Sequence, residues 1–444
     1  MQNQPGQKLG SYSLTMIVIG LVIGLGIFRA ASVSAGSAIH PYIFFGAWIF
    51  GGLVALCGAL TYAEIGSRFP VTGGYYKIFS VAYHPSIAFS INGIILISNA
   101  ASLGGVALIG SDYLSEVIFA TPPTDFVKSL MAISAILLFY GINLLGLRMS
   151  SKTLNVLMFV KIGIIVIIIS ALFFPSIHTV TSSQIELMSF DWKTILFSFG
   201  ATLIAVSFTY GGYQQTINFG DEIQTPRKTI PKSIYTGILI VIVLYLLVNY
   251  SYYKVIGFEE LKSAKGIAAI VADKLFGPIG KNVFAFLLFL AVLAYVDVML
   301  LSNPRVMYAM SLDGILPKSF AKKNGEKEVL TTSLTVFTLI CVVVVFYAST
   351  FDKILGFVMI LDSLGMATSA ATIFYLRRTT KDLDDKGIYK MKVFPFMPVL
   401  FIIAYAFVGI SSFILNPVFG YTAVIVFLAL IGVYYLIKKL KIKN

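Results

Sequence analysis

Two glycines interrupt an apolar stretch near the start of the chain. Residues 13–36 are long and apolar enough to span a bilayer, yet Gly24 and Gly26 stand near their middle. Glycine weakens a helix, and unpaired backbone at that depth is tolerated only inside protein or beside a cavity. A carboxylate placed there would find free N–H groups and the positive dipole end of the second half-helix. The predicted carboxylate site consists of Ile23, Gly24, Leu25, Gly26 and Ile27.

A second break lies in the sixth apolar span. Gly211 and Gly212 stand side by side near the centre of residues 193–219, with a tyrosine on each side. Paired glycines also allow close helix packing, but breaks at corresponding positions of two halves of a membrane protein indicate a binding site near the middle of the bilayer. Aromatic side chains commonly line such sites. The opposite wall of the predicted site therefore comprises Phe208, Tyr210, Gly211, Gly212 and Tyr213.

Several charged side chains stand inside or beside apolar spans, where each is costly and is a functional candidate by default. Lys161, in the fifth span, either faces the helix bundle as a fixed cation or extends to the membrane interface. Asp297, in the eighth span, either accepts a proton or forms a structural hydrogen bond, and Asp362 in the tenth is similar. Arg29 either faces an outer vestibule, where it attracts an anionic group, or pairs with a carboxylate in an outer gate. We therefore assign Lys161 and Asp297 to a candidate ion site and Arg29 to a candidate gate.

The composition places all these residues in a polytopic membrane protein. Of 444 residues, 58% are hydrophobic and only 12% are charged, which excludes an ordinary soluble domain. The net charge of +13 comes from short loops between apolar spans, so it indicates topology and not a nucleic-acid partner. The three histidines are isolated, which argues against a metal site, and no GxxxxGK[ST] loop for a nucleotide cofactor occurs. We expect no metal and no cofactor.

Hydropathy predicts an all-α fold with twelve transmembrane helices. Their approximate limits are 13–36, 42–66, 82–118, 127–146, 153–174, 193–219, 233–257, 280–311, 330–349, 354–376, 395–415 and 418–438. Most Lys and Arg residues fall in loops on the side of the N-terminus. The positive-inside rule therefore predicts that both termini are cytoplasmic.

Four stretches of the chain resemble the amino acid–polyamine–organocation (APC) transporters, and within them the L-type-like amino acid transporters. Ile23–Phe28 is similar to the GSGIF motif of the unwound first helix, and Tyr62–Tyr75 to YAELG…P…GG.Y. Phe208–Pro231 is similar to FAYGGW…EE…NP…IP, and Arg305–Pro317 to R…AR.G.LP. The motifs occur in order and at fitting distances across residues 13–378.

The resemblance implies a core of five plus five helices in an inverted repeat, whose first and sixth helices are broken. It implies a secondary active transporter and not an enzyme, which moves an amino acid across the cell membrane by alternating access. The substrate carboxylate would bind amides of the first helix, and its amino group would meet carbonyls of the first and sixth. Lys161 would replace a coupling sodium ion, so transport would be sodium-independent and either proton-coupled or exchanging. A sensor that does not transport, or a transporter of a related amine or polyamine, remains an alternative.

The resemblance also divides the chain and names its partners. Residues 1–12 would form a cytoplasmic N-terminus, 13–378 the transport core, and 379–444 helices eleven and twelve with a basic tail. The expected partners are an amino acid substrate and the lipid bilayer, and nothing indicates an accessory subunit. Leu25 stands where the family often has Ser, Tyr213 where it often has Trp, and Arg29 where a small or apolar residue is usual. These departures leave the substrate open.

Overall fold

The computed structural model describes residues 8–24, 26–173, 190–264, 266–325, 327–347, 351–383 and 387–442. Within these ranges the chain is helical, and its only extended pairings are three isolated bridges. The helices are α1 (Ser11–Val22), α2 (Gly26–Ser37), α3 (Pro41–Arg68), α4 (Gly74–Ala82), α5 (Pro85–Ile118), α6 (Asp125–Leu144), α7 (Leu147–Ser170), α8 (Trp192–Tyr210), α9 (Pro226–Ile256), α10 (Phe258–Ser263), α11 (Ile267–Leu312), α12 (Thr331–Tyr347), α13 (Phe351–Thr379), α14 (Phe396–Leu415) and α15 (Pro417–Ile442).

Most of these helices have the dimensions of membrane spans. In the described part of the chain, 11 helical stretches are long and apolar enough to cross a membrane, counting α1 with α2 as one. The ninth predicted span corresponds to α12, whose apolar part, Thr331–Phe346, is shorter than the others. An all-helical membrane architecture is therefore observed, whereas the count of twelve crossings stays a prediction.

Two spans differ in extent from the sequence prediction. The predicted span 82–118 begins instead at Pro85, because proline suits the first turn of a helix and the His84 side chain accepts a hydrogen bond from the Ser86 amide, 3.3 Å away. The predicted span 280–311 is the second part of α11, which is 46 residues long and is interrupted by non-helical backbone at Gly277. Its extra length is therefore a separate segment joined through a glycine and not one straight helix.

Both predicted breaks interrupt helices in the structure. The first separates α1 from α2 after Val22. The second follows Tyr210, after which the chain continues as a 3₁₀ segment, Tyr213–Asn218. Gly212 has φ of 110°, and a Cβ atom at this position would lie 2.2 Å from the carbonyl oxygen of Leu21. Only glycine permits this backbone conformation and this close approach, so it is the residue that lets the two breaks meet.

The other helices enclose these breaks. Helix α1 packs against α7 and α9, α2 packs against α8, and α3 packs against both α8 and α9. On the other side, α5 packs extensively against α11 and α13. Helix α14 packs against α3, α8 and α13, and α15, which packs against α5, exposes most of its described side chains. The core of the bundle is therefore formed around the interrupted helices.

Candidate functional site

A cavity of about 40 Å³ lies between the two breaks. From the interrupted helices it is lined by Leu21, Val22, Gly24, Gly26, Phe208, Thr209, Gly211, Gly212, Gln214 and Gln215. From α5, α11 and α13 it is lined by Asn99, Ser102, Val106, Tyr295 and Asp362. The cavity exceeds the roughly 10–15 Å³ that one water molecule needs, and its wall combines backbone with amide, hydroxyl and carboxylate groups.

The structure brings about half of the predicted substrate-binding residues to this cavity. Those that line it are Gly24, Gly26, Phe208, Gly211 and Gly212. Ile23, Ile27, Tyr210 and Tyr213 are buried behind its wall, and Leu25 lies outside the described residues. Their roles in binding stay predictions.

The two tyrosines beside the second break do not line the cavity. Tyr210 packs against the rings of Trp48 and Tyr245, at centroid distances of 5.8 and 5.1 Å. Tyr213 packs against Tyr62, with 5.9 Å between ring centroids. Both contribute aromatic packing on either side of the break, which positions the glycines between them.

Gly26 lies where a bound anion would be stabilised most strongly by the α2 helix. It is the first residue of α2 and lines the cavity, so the unpaired N–H groups of the first turn begin there. A Cβ atom on Gly26 would lie 2.9 Å from Cγ2 and 3.1 Å from Cα of Thr209. The absence of a side chain therefore lets α8 approach the start of α2, and the positive end of the α2 dipole meets the cavity.

Two side chains satisfy the carbonyl groups that α1 leaves at its end. The hydroxyl of Tyr245 donates to the carbonyl oxygen of Val22, 3.0 Å away, and also lies 3.2 Å from the carbonyl oxygen of Thr209. Lys161 Nζ donates to the carbonyl oxygen of Ile23. Terminal carbonyls of a buried helix need such partners. Tyr245 therefore joins the two breaks, and nothing in its sequence context distinguishes it from the other tyrosines.

Lys161 is fully buried inside the bundle. Its ammonium group contacts the first break and does not extend along α7 toward the end of the helix. Because the C-terminal end of a helix carries partial negative charge, the end of α1 favours a donor such as the Lys161 amino group. That Lys161 takes the place of a coupling sodium ion stays a prediction.

Asp297 and Arg29 lie outside the cavity wall. Asp297 is fully buried; its Oδ1 accepts a hydrogen bond from Asn143 Nδ2 at 2.8 Å, and its Oδ2 has no partner among the described residues. Arg29 is half-buried on α2, and its charge lies within electrostatic range of Tyr113 on α5. Neither position decides between the alternatives stated for these residues.

An amide network, absent from the sequence prediction, borders the cavity. Gln215 Nε2 donates to Asn99 Oδ1 at 3.1 Å, and Asn99 Nδ2 donates to Asn303 Oδ1 at 2.6 Å. Asn218, at the end of the 3₁₀ segment, accepts a hydrogen bond from the Tyr75 amide at 3.0 Å. These amides tie the segment after the second break to α4, α5 and α11. These residues are far apart in the sequence, and no motif or regular spacing indicates that they meet.

Ion pairs close the end of the bundle where α1 begins, which we call the α1 end. The guanidinium of Arg305 binds Glu222, with Nη2 and Oε2 2.6 Å apart, and the Leu9 amide donates to the Glu222 carbonyl at 2.6 Å. The Glu64 carboxylate forms ion pairs with Arg68 Nε at 2.8 Å and with Arg377 Nη2 at 2.6 Å. These contacts join the segment after the second break to α11 and to the residues before α1, and they join α3 to α13.

A family model for amino acid permeases matches residues 9–434, almost the whole chain. The chain belongs to the amino acid permease family. Members of this family are membrane transporters and not enzymes. The protein is therefore a multi-pass membrane protein that functions in amino acid transport. The match to the APC superfamily and its L-type-like branch is thereby confirmed.

The chain is similar to three relatives that are named as amino acid transporters or exchangers. It is 26% identical over 440 residues to the serine/threonine exchanger SteT of Bacillus subtilis, covering 98% of each chain. It is 25% identical over 431 residues to the b(0,+)-type amino acid transporter 1 of Mus musculus, covering 95% of this chain and 86% of that protein. It is 26% identical over 428 residues to the cystine/glutamate transporter of Homo sapiens, covering 95% and 83%.

Proposed function

We propose that the protein is a sodium-independent secondary active transporter that moves an amino acid across the cell membrane by alternating access. The cavity between the breaks is the substrate site in this proposal. Transport is driven by proton coupling or by exchange. The relative SteT, which is named an exchanger, supports exchange as the first mode to test.

The observation that carries this proposal is the contact between Lys161 and the carbonyl oxygen of Ile23. A carbonyl at the end of α1 attracts a cation, because the helix dipole places partial negative charge there. A metal ion bound at such a break would dissociate, whereas the amino group of Lys161 is covalently part of the chain and stays beside this carbonyl. We infer that the protein needs no sodium ion to order the first break.

The substrate's two charged ends have complementary partners around the cavity. The start of α2 at Gly26 offers amide groups and a positive dipole end to the carboxylate. The end of α8, which also lines the cavity, offers carbonyl groups to the amino group. In this assignment Ile23, Leu25 and Ile27 act through their backbone, while Phe208 and Gly211 form the opposite wall.

The size of the cavity supports a mechanism with moving helices. Its volume of about 40 Å³ lies far below the roughly 300–1,000 Å³ typical of ligand sites, so the walls must separate before an amino acid enters. We propose that the ion pairs at the α1 end open and close with each cycle. Asp297, whose second carboxylate oxygen has no hydrogen-bond partner in the described part of the chain, is the candidate proton acceptor.

The proposed topology follows the sequence prediction. Twelve helices, ten of them in an inverted repeat over residues 13–378, place both termini in the cytoplasm, with residues 1–12 before the core and 379–444 after it. The paired interruptions of the first and sixth spans support the repeat. In this orientation the α1 end faces the cytoplasm.

Reconstitution into proteoliposomes tests the proposal. Vesicles loaded with an unlabelled amino acid should accumulate the labelled one when sodium is replaced by choline, and empty vesicles should do so only under a proton gradient if transport is proton-coupled. Specific binding without flux under every gradient would identify a sensor and reject the transporter. Flux that requires sodium would reject the role of Lys161.

A further inference from the structure

We propose that Asp362 of α13 recognises the substrate side chain and makes the site prefer amino acids with a cationic side chain over neutral and acidic ones. This inference rests on the proposed function, because it takes the cavity between the breaks as the amino acid site. It adds a substrate class to a site whose backbone groups recognise only the parts that all amino acids share.

The position of Asp362 is the first argument. Its side chain lines the cavity together with Tyr295 and Ser102, on the wall formed by α5, α11 and α13. The backbone groups of the breaks line it from the interrupted helices. An amino acid held by its carboxylate and amino group at the breaks would therefore direct its side chain toward this wall.

The hydrogen bonding of Asp362 is the second argument. Ser98 Oγ donates to Asp362 Oδ1 at 2.6 Å, which fixes the orientation of the carboxylate. Its other oxygen, Oδ2, makes no hydrogen bond with the described residues. A carboxylate held by one donor keeps acceptor sites for a ligand, and ligand cations form the strongest hydrogen bonds with it.

The charge balance is the third argument. Among the described residues, Asp362 is the only Asp, Glu, Lys or Arg side chain in the cavity wall, and no described basic side chain forms an ion pair with it. The buried lysine of α7, Lys161, does not line the cavity and donates to the backbone of Ile23. Asp362 is only partly exposed and has no ion-pair partner among the described residues. A ligand with a positive charge would therefore be stabilised beside it, and a ligand with a second carboxylate would be repelled.

The polar groups beside Asp362 agree with this class. The hydroxyls of Ser102 and Tyr295 are hydrogen-bonded to each other at 2.8 Å, and the amides of Asn99 and Gln215 are 3.1 Å apart. All four residues line the cavity. Such a wall places hydroxyl and amide groups beside Asp362, and their remaining hydrogen-bonding capacity suits a polar side-chain end better than an aliphatic one.

Competition in proteoliposomes that contain the full-length protein tests the proposal. Uptake of labelled lysine, glutamine and glutamate is compared in the wild type, in Asp362→Asn and in Asp382→Asn, which makes the same change at an exposed position. We expect the wild type to favour lysine, and Asp362→Asn to lose at least about tenfold of lysine uptake while glutamine uptake persists, because a charged hydrogen bond is lost. Asp382→Asn should match the wild type.

Each other outcome is decisive. Equal loss of all three substrates in a folded Asp362→Asn protein would assign Asp362 to the shared amino group and reject the specificity role. Unchanged lysine preference, or a wild type that transports glutamine or glutamate but not lysine, would also reject it while leaving the transporter standing. No flux of any amino acid in the wild type would instead reject the proposed function. If Asp362→Asn does not fold, Ser98→Ala, which frees the carboxylate without removing its charge, must weaken the preference for lysine over glutamine.

Discussion

Lys161 of α7 donates a hydrogen bond to the carbonyl oxygen of Ile23, the first residue beyond the end of α1. A side chain from one helix therefore completes the backbone hydrogen bonding of another at the point where that helix is interrupted. The contact couples the geometry of the first break to the position of α7. If α7 or the first break moves during a transport cycle, either this hydrogen bond breaks or both partners move together.

Replacing this lysine should impair transport more than folding. In Lys161→Met the Ile23 carbonyl is left without its partner and the break without its charge, so we expect at least about a tenfold loss of uptake, because a hydrogen bond to a charged group contributes about 1.5–3 kcal/mol. Initial rates of uptake measure the effect. Lys152→Met, at an exposed position of the same helix, is the matched control. Wild-type uptake and cation dependence in Lys161→Met would contradict the assigned role.

The hydroxyl of Tyr245 should matter more than its ring. Tyr245→Phe keeps the contacts with Trp48 but removes the group that lies 3.0 and 3.2 Å from the carbonyls of Val22 and Thr209. We expect a loss of about 1–3 kcal/mol in the free energy of unfolding, because a buried acceptor loses its donor. Thermal unfolding in detergent gives the measurement. Tyr250→Phe, an exposed residue on α9, should be neutral, and equal stability of the two variants would disprove the bridging role.

Adding one methyl group at the breaks should abolish activity. A Cβ at Gly212 would lie 2.2 Å from the Leu21 carbonyl oxygen, and one at Gly26 would lie 2.9 Å from Thr209. We expect Gly212→Ala and Gly26→Ala to lose uptake and to lower the melting temperature, because overpacking costs about 1–3 kcal/mol. Gly141→Ala meets open space on α6 and should stabilise the protein by about 0.5–1 kcal/mol. Full activity in Gly212→Ala would mean that the breaks do not need this close approach.

The sequence predicted the breaks well because their signal is local. Glycines in an apolar span weaken a helix wherever the span lies, so Gly24, Gly26, Gly211 and Gly212 were recognisable without tertiary information. Lys161 was recognisable for a related reason, since a charge at membrane depth must face other protein. All five residues lie at or behind the cavity between the interrupted helices.

The remaining parts of the site depend on contacts between distant segments. Tyr245 joins the two breaks only because α9 packs against α1, and Asn99 meets Gln215 across 116 residues of sequence. Tyrosines and amides are common in this chain, and no spacing identifies which of them meet. Tyr210 and Tyr213, which adjoin the second break, pack against the rings of Trp48 and Tyr62 and do not line the cavity, so their roles in binding stay predictions.

Loosening the α1 end should expose residues between that end and the cavity. Arg305 binds Glu222 with its Nη2 and Nε, 2.6 and 3.0 Å from the carboxylate, and so holds the segment after the second break against α11. Because the Arg305–Glu222 pair is partly exposed, Glu222→Gln should weaken it by about 1 kcal/mol. This change would raise the population of molecules whose α1 end is open by a factor of about five. A cysteine introduced by Ser302→Cys, one turn before Arg305, should therefore react about fivefold faster with a water-soluble thiol reagent. Glu328→Gln, which removes an exposed pair with Lys323, is the control, and equal reaction rates in the two backgrounds would show that the Arg305 pair does not restrain opening.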